Sequence, residues 1–269
     1  MEHSSAAQNM CILVVSCDKY ADCWEPFSLC LQKFWPDCPY PVYLATETKE
    51  APAHTIYKKV LHSSNPSWTG RLREVCYQIH ESNILLTLED HWLANFVDSN
   101  AISNIAQLVD RTSDIGVVYL DYPIRKRNPW SANSNYNVIP PNTPYRLSAG
   151  PSIWRKEFLL IACAEDADAW NFERIKSFAP STFSFTVLSC VDSYYCRVHP
   201  AGAVQRGKWQ SFIPSFCKKN SLPINLANRE TMSPFDNLKI SLKSFIYNLN
   251  PPLIVKVQNW LYHLQHKAK

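Results

Sequence analysis

Two adjacent carboxylates, Glu89 and Asp90, directly follow a short apolar run at residues 84–88 and precede His91 and Trp92. An apolar run of this length predicts a strand that is buried on both faces. In open α/β sheets, ligands bind at the carboxyl ends of the strands. Carboxylates at that edge can hold a divalent cation, which in turn can hold a diphosphate. The alternative is a strand that ends in solvent with both carboxylates hydrated, and a His91 that lies in the core or at the surface instead of binding metal.

The elements that would position these carboxylates follow from the apolar pattern. Short apolar runs alternate with segments whose apolar residues recur at helical spacing, which predicts a mostly parallel sheet with helices on both faces. The chain is therefore predicted to form an α/β fold of Rossmann type, with a doubly wound, nucleotide-binding first half. We predict strands at 11–16, 40–45, 57–61, 84–88, 115–120 and 191–198, and helices at 24–34, 68–80, 100–109, 155–164 and 167–177.

Two segments depart from this alternation. Residues 124–145 are rich in Pro, Asn and Ser, which predicts a long loop that helps to shape a pocket. The tail at 238–269 mixes basic with aromatic and aliphatic residues, which is typical of an amphipathic helix in a membrane interface. A terminal helix packed on the domain or on a second subunit is the alternative. We predict an α/β domain at 1–235 and a basic, amphipathic helical tail at 236–269.

The bulk composition excludes several classes of protein. A formal net charge of +4 over 269 residues is too mild for a nucleic-acid partner. Ten cysteines are present, but they lack zinc spacing and several fall within apolar patterns, which indicates free, reduced thiols. Residues 1–10 do not resemble a signal peptide, and no apolar run reaches the roughly 20 residues that span a bilayer. We expect a cytoplasmic protein, with peripheral contact to the inner face of the membrane through the tail.

Four motifs, in this order and spacing, resemble those of bacterial GT-A-type glycosyltransferases encoded in surface-polysaccharide gene clusters (capsule, O-antigen or lipopolysaccharide). The resemblance runs from about residue 11 to about residue 230. The first motif is Ser16-Cys17-Asp18-Lys19-Tyr20 with Trp24, Pro26 and Phe27, and the second is Trp68 with Arg71 leading to Glu89-Asp90. The third is Gly150-Pro151-Ser152-Ile153-Trp154-Arg155-Lys156-Glu157-Phe158-Leu159, and the fourth is Trp170-Asn171-Phe172-Glu173 followed by Arg206-Gly207-Lys208-Trp209.

The resemblance implies an enzyme that transfers a sugar from a nucleotide-sugar donor, a UDP-sugar, to a hydroxyl of a surface glycan or lipid-linked glycan. Such enzymes usually carry Asp-x-Asp, or Asp-Asp followed by aromatic residues, at the strand end. Here Glu89 replaces an Asp and Asp90 matches the last acidic position. Asp90 is thus the candidate ligand for Mn²⁺ or Mg²⁺, and metal-independent transfer is the alternative.

Cationic and polar residues are the candidates for holding the donor. Ser16, Asp18 and Lys19 follow the first strand, where a nucleotide base and ribose would lie. Asp18 could accept hydrogen bonds from the base or ribose, and Lys19 could meet a phosphate, unless Asp18 only starts a helix. Arg71, near a helix start that opposes its charge, could contact the diphosphate or base, or pair with Glu74 or Glu89. Arg206 and Lys208 could support the leaving diphosphate or belong to a solvated basic loop.

The acceptor side rests on Trp170 and Glu173, whose spacing places both on one helix face. Inverting transfer needs a carboxylate that takes the proton of the acceptor hydroxyl, and Glu173 is our candidate, with Asp166 and Asp168 as alternatives. Trp170 and Trp154 are the candidates for contacting acceptor sugars. A solvated acidic helix start at 165–168 would explain the same carboxylates without catalysis.

Two other functions fit the same fold class. One is a nucleotidyltransferase, which would prefer a Gly-rich loop after the first strand, whereas residues 16–24 contain no glycine. The other is a catalytically inactive glycan-binding or scaffold protein, since Trp side chains stack on sugars with or without chemistry. The chain has no GxSxG, Walker or GxGxxG motif, which disfavours serine hydrolysis, P-loop chemistry and dinucleotide binding.

Overall fold

The computed structural model describes residues 9–122, 127–195 and 197–236. The sequence forms eleven strands and six α-helices within these ranges. The strands are β1 (Met10–Val15), β2 (Val42–Thr46), β3 (Tyr57–His62), β4 (Asn83–Leu88), β5 (Ile115–Tyr119), β6 (Pro129–Trp130), β7 (Asn133–Val138), β8 (Ser152–Arg155), β9 (Thr186–Cys190), β10 (Val204–Gln205) and β11 (Lys208–Trp209). The helices are α1 (Trp24–Phe34), α2 (Trp68–Tyr77), α3 (Ser99–Arg111), α4 (Lys156–Ala162), α5 (Ala169–Arg174) and α6 (Ile213–Lys219).

Nine strands form one mixed, mostly parallel sheet in the order β3-β2-β1-β4-β8-β5-β9-β7-β6. The pairs β3-β2, β2-β1, β1-β4 and β5-β9 are parallel, and β8 runs antiparallel between β4 and β5. The chain moves outward from β1 to β3 and then returns to the other side of β1 as β4, so strand order reverses between β1 and β4. A crevice at the carboxyl ends of strands on either side of such a reversal is the usual ligand site of α/β sheets.

Helices cover both faces of this sheet, as the apolar pattern predicted. Every residue of β1 is buried, which requires packing on both sides. One face packs against α2, α4 and α5 through residues such as Val75, Phe158 and Phe172. On the other face, Asn83 of β4 donates a hydrogen bond to Asp110 of α3 (2.6 Å). The predicted α/β fold of Rossmann type is confirmed.

Two predicted elements differ in the structure. The segment at 124–145 was predicted as loop, but its described part contains the antiparallel pair β6-β7, which extends the sheet edge beside β9. Half of the residues of β7 are exposed and most are polar, so no apolar alternation marks the strand. The strand predicted at 191–198 is wrong: the strand is Thr186–Cys190, because this shorter run pairs with β5.

The described residues group into two compact units, one up to Ala203 and one from Val204 onward. The second unit contains the two-stranded sheet β10-β11 and helix α6. The predicted tail at 238–269, with its membrane contact, lies outside the described residues, and the domain boundary at 235/236 stays a prediction. No helix in the described ranges is long and apolar enough to cross a membrane. All nine described cysteines are free thiols.

Candidate functional site

The acidic pair lies at the carboxyl end of β4, next to the reversal of strand order between β1 and β4. Glu89 is only 8% exposed, and its carbonyl oxygen accepts a hydrogen bond from Nε1 of the buried Trp92 (3.1 Å). The Asp90 side chain is 14% exposed, and its carbonyl accepts a hydrogen bond from the Ala203 amide (2.7 Å). Both residues are therefore largely buried at the edge of the sheet, which differs from the alternative of two carboxylates fully exposed to solvent.

Gly202 leaves room for the Asp90 carboxylate. A Cβ at this position would lie 2.1 Å from Oδ2 of Asp90. Gly202 also has a φ of +77°, a backbone conformation that residues with a Cβ rarely adopt. Both observations indicate that the backbone at Gly202 must approach Asp90 closely. The loop that follows β9 thus forms one wall of the site.

A partly buried ion pair extends this wall toward β5. Arg197 Nε donates to Oδ2 of Asp121 (2.7 Å), and the Arg197 guanidinium lies 3.5 Å from Nε2 of His91. Burial, with Arg197 adding to it, holds the pKa of His91 well below its usual range. His91 is therefore neutral, 4.0 Å from Asp90. Asp121 and Arg197 were not among the predicted site residues, although Asp121 follows an apolar strand much as Asp90 does.

Asp18 follows the end of β1, and its carboxylate is hydrogen-bonded to the loop that follows β2. It accepts hydrogen bonds from the amides of Glu47, Thr48 and Lys49 and from the Thr48 hydroxyl. Desolvation raises the pKa of Asp18, but the hydrogen bonds from Thr48, Lys49 and Glu47 outweigh it and lower the pKa to about 2. Asp18 thus fixes the shape of the site wall, with four donors already on its oxygens.

This arrangement makes a pH prediction for Asp18→Asn. The folded pKa of about 2 lies below the ordinary value of 3.8, so the ionised carboxylate stabilises the fold above about pH 4, and this contribution is lost as the pH falls toward 2. Because Asp18 is only half-buried and solvent screens its charge, we expect about 1 kcal/mol, or roughly 2–4 °C in Tm. Thermal melts between pH 2 and 7 should show a gap between wild type and variant that is constant above pH 5 and closes in acid. Asp192→Asn, at an exposed position, is the control and should show no such gap.

Arg71 pairs with neither Glu74 nor Glu89. Its Nη1 lies 3.0 Å from Oε1 of Glu47, and the other oxygen of Glu47 accepts the amide of Asp18 (2.9 Å). Ser16 lies nearby in the chain, and its hydroxyl accepts a hydrogen bond from Nε1 of Trp24 (2.7 Å). Arg71 and Asp18 are thus joined through Glu47. Of the donor-site candidates after β1, Lys19 is exposed, while Ser16 and Asp18 are half-buried.

Glu173 reaches the same edge of the sheet through the segment that enters β8. Its Oε1 accepts hydrogen bonds from the Ser148 hydroxyl and the Ala149 amide, both 2.9 Å. Because β8 is antiparallel to β4 and β5, residues that precede it lie where those strands end. Trp170, one turn away from Glu173, is 71% exposed. A half-buried carboxylate beside an exposed indole can take a proton from a sugar hydroxyl while the ring contacts the sugar.

Trp154 lies elsewhere. It is fully buried, stacks on Phe158 with ring centroids 5.5 Å apart, and donates from Nε1 to the Ser152 hydroxyl (2.7 Å). This position has no face for an acceptor sugar, so Trp154 supports the sheet. The other acidic alternatives are also engaged: Asp168 caps α5, and Asp166 pairs with Arg73.

Arg206 and Lys208 belong to the second unit, where they form the turn and start of β11. Arg206 and Gly207 have φ values of 53° and 78°, as a two-residue hairpin turn requires. Lys208 pairs with Glu230 (3.0 Å) and Asp236 (3.5 Å). The hydrogen bond that Lys208 donates to Glu230 and the nearby charge of Asp236 raise the pKa of Lys208. Lys208 is thus an ion-paired residue of this hairpin.

The residues at the strand ends fit one mode of metal binding. No three His, Cys, Asp or Glu side chains within the ranges described come together as a metal-binding group, so they form no all-protein cage. Mg²⁺ commonly binds instead through one or two carboxylates, with water and substrate phosphates as its other ligands. Asp90, held at the strand end against a glycine, fits that mode.

No protein-family model matches this chain, and no curated protein matches it in sequence. Solved structures with a related fold include Staphylococcus aureus TarS residues 1–349, at 12% identity and a TM-score of 0.42, covering 70% of this chain and 59% of that one. A cytidylyltransferase from Leptospira borgpetersenii matches at 13% identity and a TM-score of 0.43, covering 70% and 79%. A CMP:2-keto-3-deoxy-manno-octonic acid synthetase complexed with CTP matches at 12% identity and a TM-score of 0.40, covering 68% and 88%. The chain spans about three fifths of the TarS fragment, and similarity at this level carries no information on activity.

Proposed function

We propose that this chain is a glycosyltransferase of GT-A type that moves a sugar from a UDP-sugar to a hydroxyl of a surface glycan or lipid-linked glycan. The observation that carries the proposal is that two carboxylates suited to different roles, Asp90 and Glu173, lie at the same edge of the sheet. Asp90 directly follows the end of β4, and Glu173 accepts hydrogen bonds from the segment that enters the neighbouring β8. A donor site and a proton acceptor side by side are what sugar transfer needs.

On the donor side, the crevice between β1 and β4 would hold the nucleotide. Asp18, Glu47 and Arg71 form its ordered wall, and the exposed Lys19 supplies positive charge for a phosphate. When a divalent cation is bound, Asp90 would hold it, and the cation would neutralise charge on the diphosphate.

On the acceptor side, Glu173 would act as the base of an inverting displacement. The acceptor oxygen forms a bond to C1 of the donor sugar while its proton passes to Glu173, and the bond from C1 to the phosphate oxygen breaks to release the nucleoside diphosphate. Trp170 would contact the acceptor ring. The acceptor's place in a surface polysaccharide, and membrane contact through 238–269, are further parts of the proposal.

A thermal-shift screen tests the proposal. Purified protein is melted with UDP-glucose, UDP-N-acetylglucosamine, GDP-mannose, dTDP-glucose, CMP-sialic acid and CTP, each with and without Mn²⁺. A ligand at about 100 times its Kd stabilises the fold by about 2.7 kcal/mol, which raises Tm by roughly 5–10 °C. We expect such a rise with a UDP-sugar, and a loss of any Mn²⁺-dependent part of it in Asp90→Asn but not in Asp192→Asn.

Other outcomes would support the competing functions. A shift with CTP alone, together with pyrophosphate release from a triphosphate, would establish a nucleotidyltransferase. No shift with any nucleotide at millimolar concentration would favour a glycan-binding protein. Slow release of UDP from the bound sugar nucleotide distinguishes an enzyme from an inactive relative.

A further inference from the structure

We propose that Ser148 is a positioning residue for Glu173, and that Tyr119 and Arg146 in turn fix Ser148. The inference rests on the proposed function, in which Glu173 takes the acceptor proton. It deepens that function by assigning the structure that aims the base.

The hydrogen bonds around Ser148 have a defined direction. The Gly150 amide donates to the Ser148 hydroxyl oxygen (3.2 Å), so the single hydroxyl proton is available to Glu173 Oε1 (2.9 Å). The Ala149 amide donates to the same oxygen (2.9 Å). No hydrogen bond to Oε2 of Glu173 is found in the described part of the chain. One oxygen is thus held by two donors, and the other is left for an acceptor hydroxyl.

Tyr119 of β5 fixes the backbone of Ser148. Its hydroxyl accepts from the Ser148 amide (2.8 Å) and donates to the Arg146 carbonyl (3.0 Å). Burial raises the pKa of Tyr119 well above its usual range, so the hydroxyl keeps the proton that this second bond needs. Tyr119 is fully buried, and it therefore ties the Glu173 anchor directly to the sheet.

The helix that carries Glu173 is tied to the same segment. The Ser177 hydroxyl, fully buried, donates to the Glu173 carbonyl (2.5 Å) and accepts from the Leu147 amide (2.8 Å). Helix α5 has only 6 residues and cannot hold a side chain rigidly by its own hydrogen bonds. Hydrogen bonds therefore hold both the backbone and the carboxylate of Glu173 against residues 147–149.

Such rigidity matters because a base must meet the proton of the acceptor in one geometry. A misplacement of about 1 Å can cost 10²-fold in rate. Removing the Ser148 hydroxyl leaves only one donor on Oε1 and frees the carboxylate to rotate. The loss should fall on kcat, since the donor crevice between β1 and β4 is untouched.

The test measures UDP release from the UDP-sugar that gives the largest thermal shift, in wild type, Ser148→Ala, Ser148→Thr, Glu173→Gln and the double variant Ser148→Ala with Glu173→Gln. We expect Ser148→Ala to lower kcat by about 10–10²-fold, with KM and the UDP-induced Tm rise unchanged. Ser148→Thr, which keeps the hydroxyl, should restore most of kcat. The double variant should be no slower than Glu173→Gln, because Ser148 acts through Glu173. Ser113→Ala, at an exposed position, is the control.

The positioning role is overturned if Ser148→Ala keeps wild-type kcat, if threonine gives no rescue, or if the two single losses multiply in the double variant. If Ser148→Ala does not fold, the same criteria apply to Ser148→Thr and Ser148→Cys, the second of which should be slow because a thiol is a weak donor. A wild-type protein that binds no sugar nucleotide and releases no UDP would overturn the proposed function, and this role with it.

Discussion

Replacing Glu173 by glutamine is expected to lower the rate of sugar transfer by about 10²–10⁴-fold. Glutamine keeps an oxygen that can accept from Ser148 and Ala149, as the carboxylate does in the wild type. It cannot take a proton, so the acceptor oxygen would have to attack C1 without general-base help. The measurement is kcat for UDP release with acceptor or water, at a saturating concentration of the UDP-sugar.

Donor binding supplies the internal control for this variant. Because Glu173 lies on the acceptor side, the UDP-induced rise in Tm should match that of the wild type. Glu165→Gln, in the exposed ion pair with Lys176, should leave kcat within twofold. If Glu173→Gln retains wild-type kcat, Glu173 is not the base. If its nucleotide-induced shift disappears instead, Glu173 belongs to the donor site.

Several of the helices and strands around this site can be predicted from the sequence, because they depend on local patterns of apolar residues. The helical spacing of Phe27, Leu31 and Phe34 predicts a helix at 24–34, and α1 covers those residues. The apolar run at 84–88 predicts a doubly buried strand, and β4 is that strand, ending where the carboxylates begin. Local periodicity and burial point to the same answer in both cases.

The other features of the fold and site depend on pairing between segments that are distant in the chain. A strand was predicted at 191–198, but the shorter Thr186–Cys190 forms the ladder with β5. β8 joins the sheet antiparallel between β4 and β5, and that insertion brings Ser148 to the carboxyl edge. Contacts such as the one between Arg197 and Asp121 join segments that are far apart in the chain. No residue spacing in the sequence predicts such contacts.

Burial also separated residues that looked alike. Trp154 and Trp170 were both candidates for contacting a sugar, yet the first is fully buried and the second is 71% exposed. The period-two alternation of β8 places Trp154 on the face that packs against Phe158 and Phe172, whereas Trp170 lies near the start of a short surface helix. A residue type predicts what chemistry is possible, and the packing of its element decides whether a ligand can reach it.

Arg146→Met is expected to give the largest loss of stability, about 3–5 kcal/mol in the free energy of unfolding. Arg146 is 1% exposed, and its guanidinium donates to the backbone carbonyls of Ile139, Thr182 and Phe185. No carboxylate pairs with it in the described ranges, so these carbonyls offset the cost of burying its charge. Methionine fills much of the same volume but leaves all three carbonyls without a donor.

Urea denaturation of Arg146→Met, with Arg111→Met as an exposed control expected within about 0.5 kcal/mol of wild type, measures this loss. A variant within 1 kcal/mol of wild type would show that water or rearranged backbone satisfies the three carbonyls. Lysine at this position keeps the charge but not the planar fork that reaches several carbonyls at once, so Arg146→Lys should fall between the two. Because the Arg146 carbonyl also accepts from Tyr119, the segment that aims Glu173 should loosen in Arg146→Lys, and kcat should fall further than the remaining folded fraction alone explains.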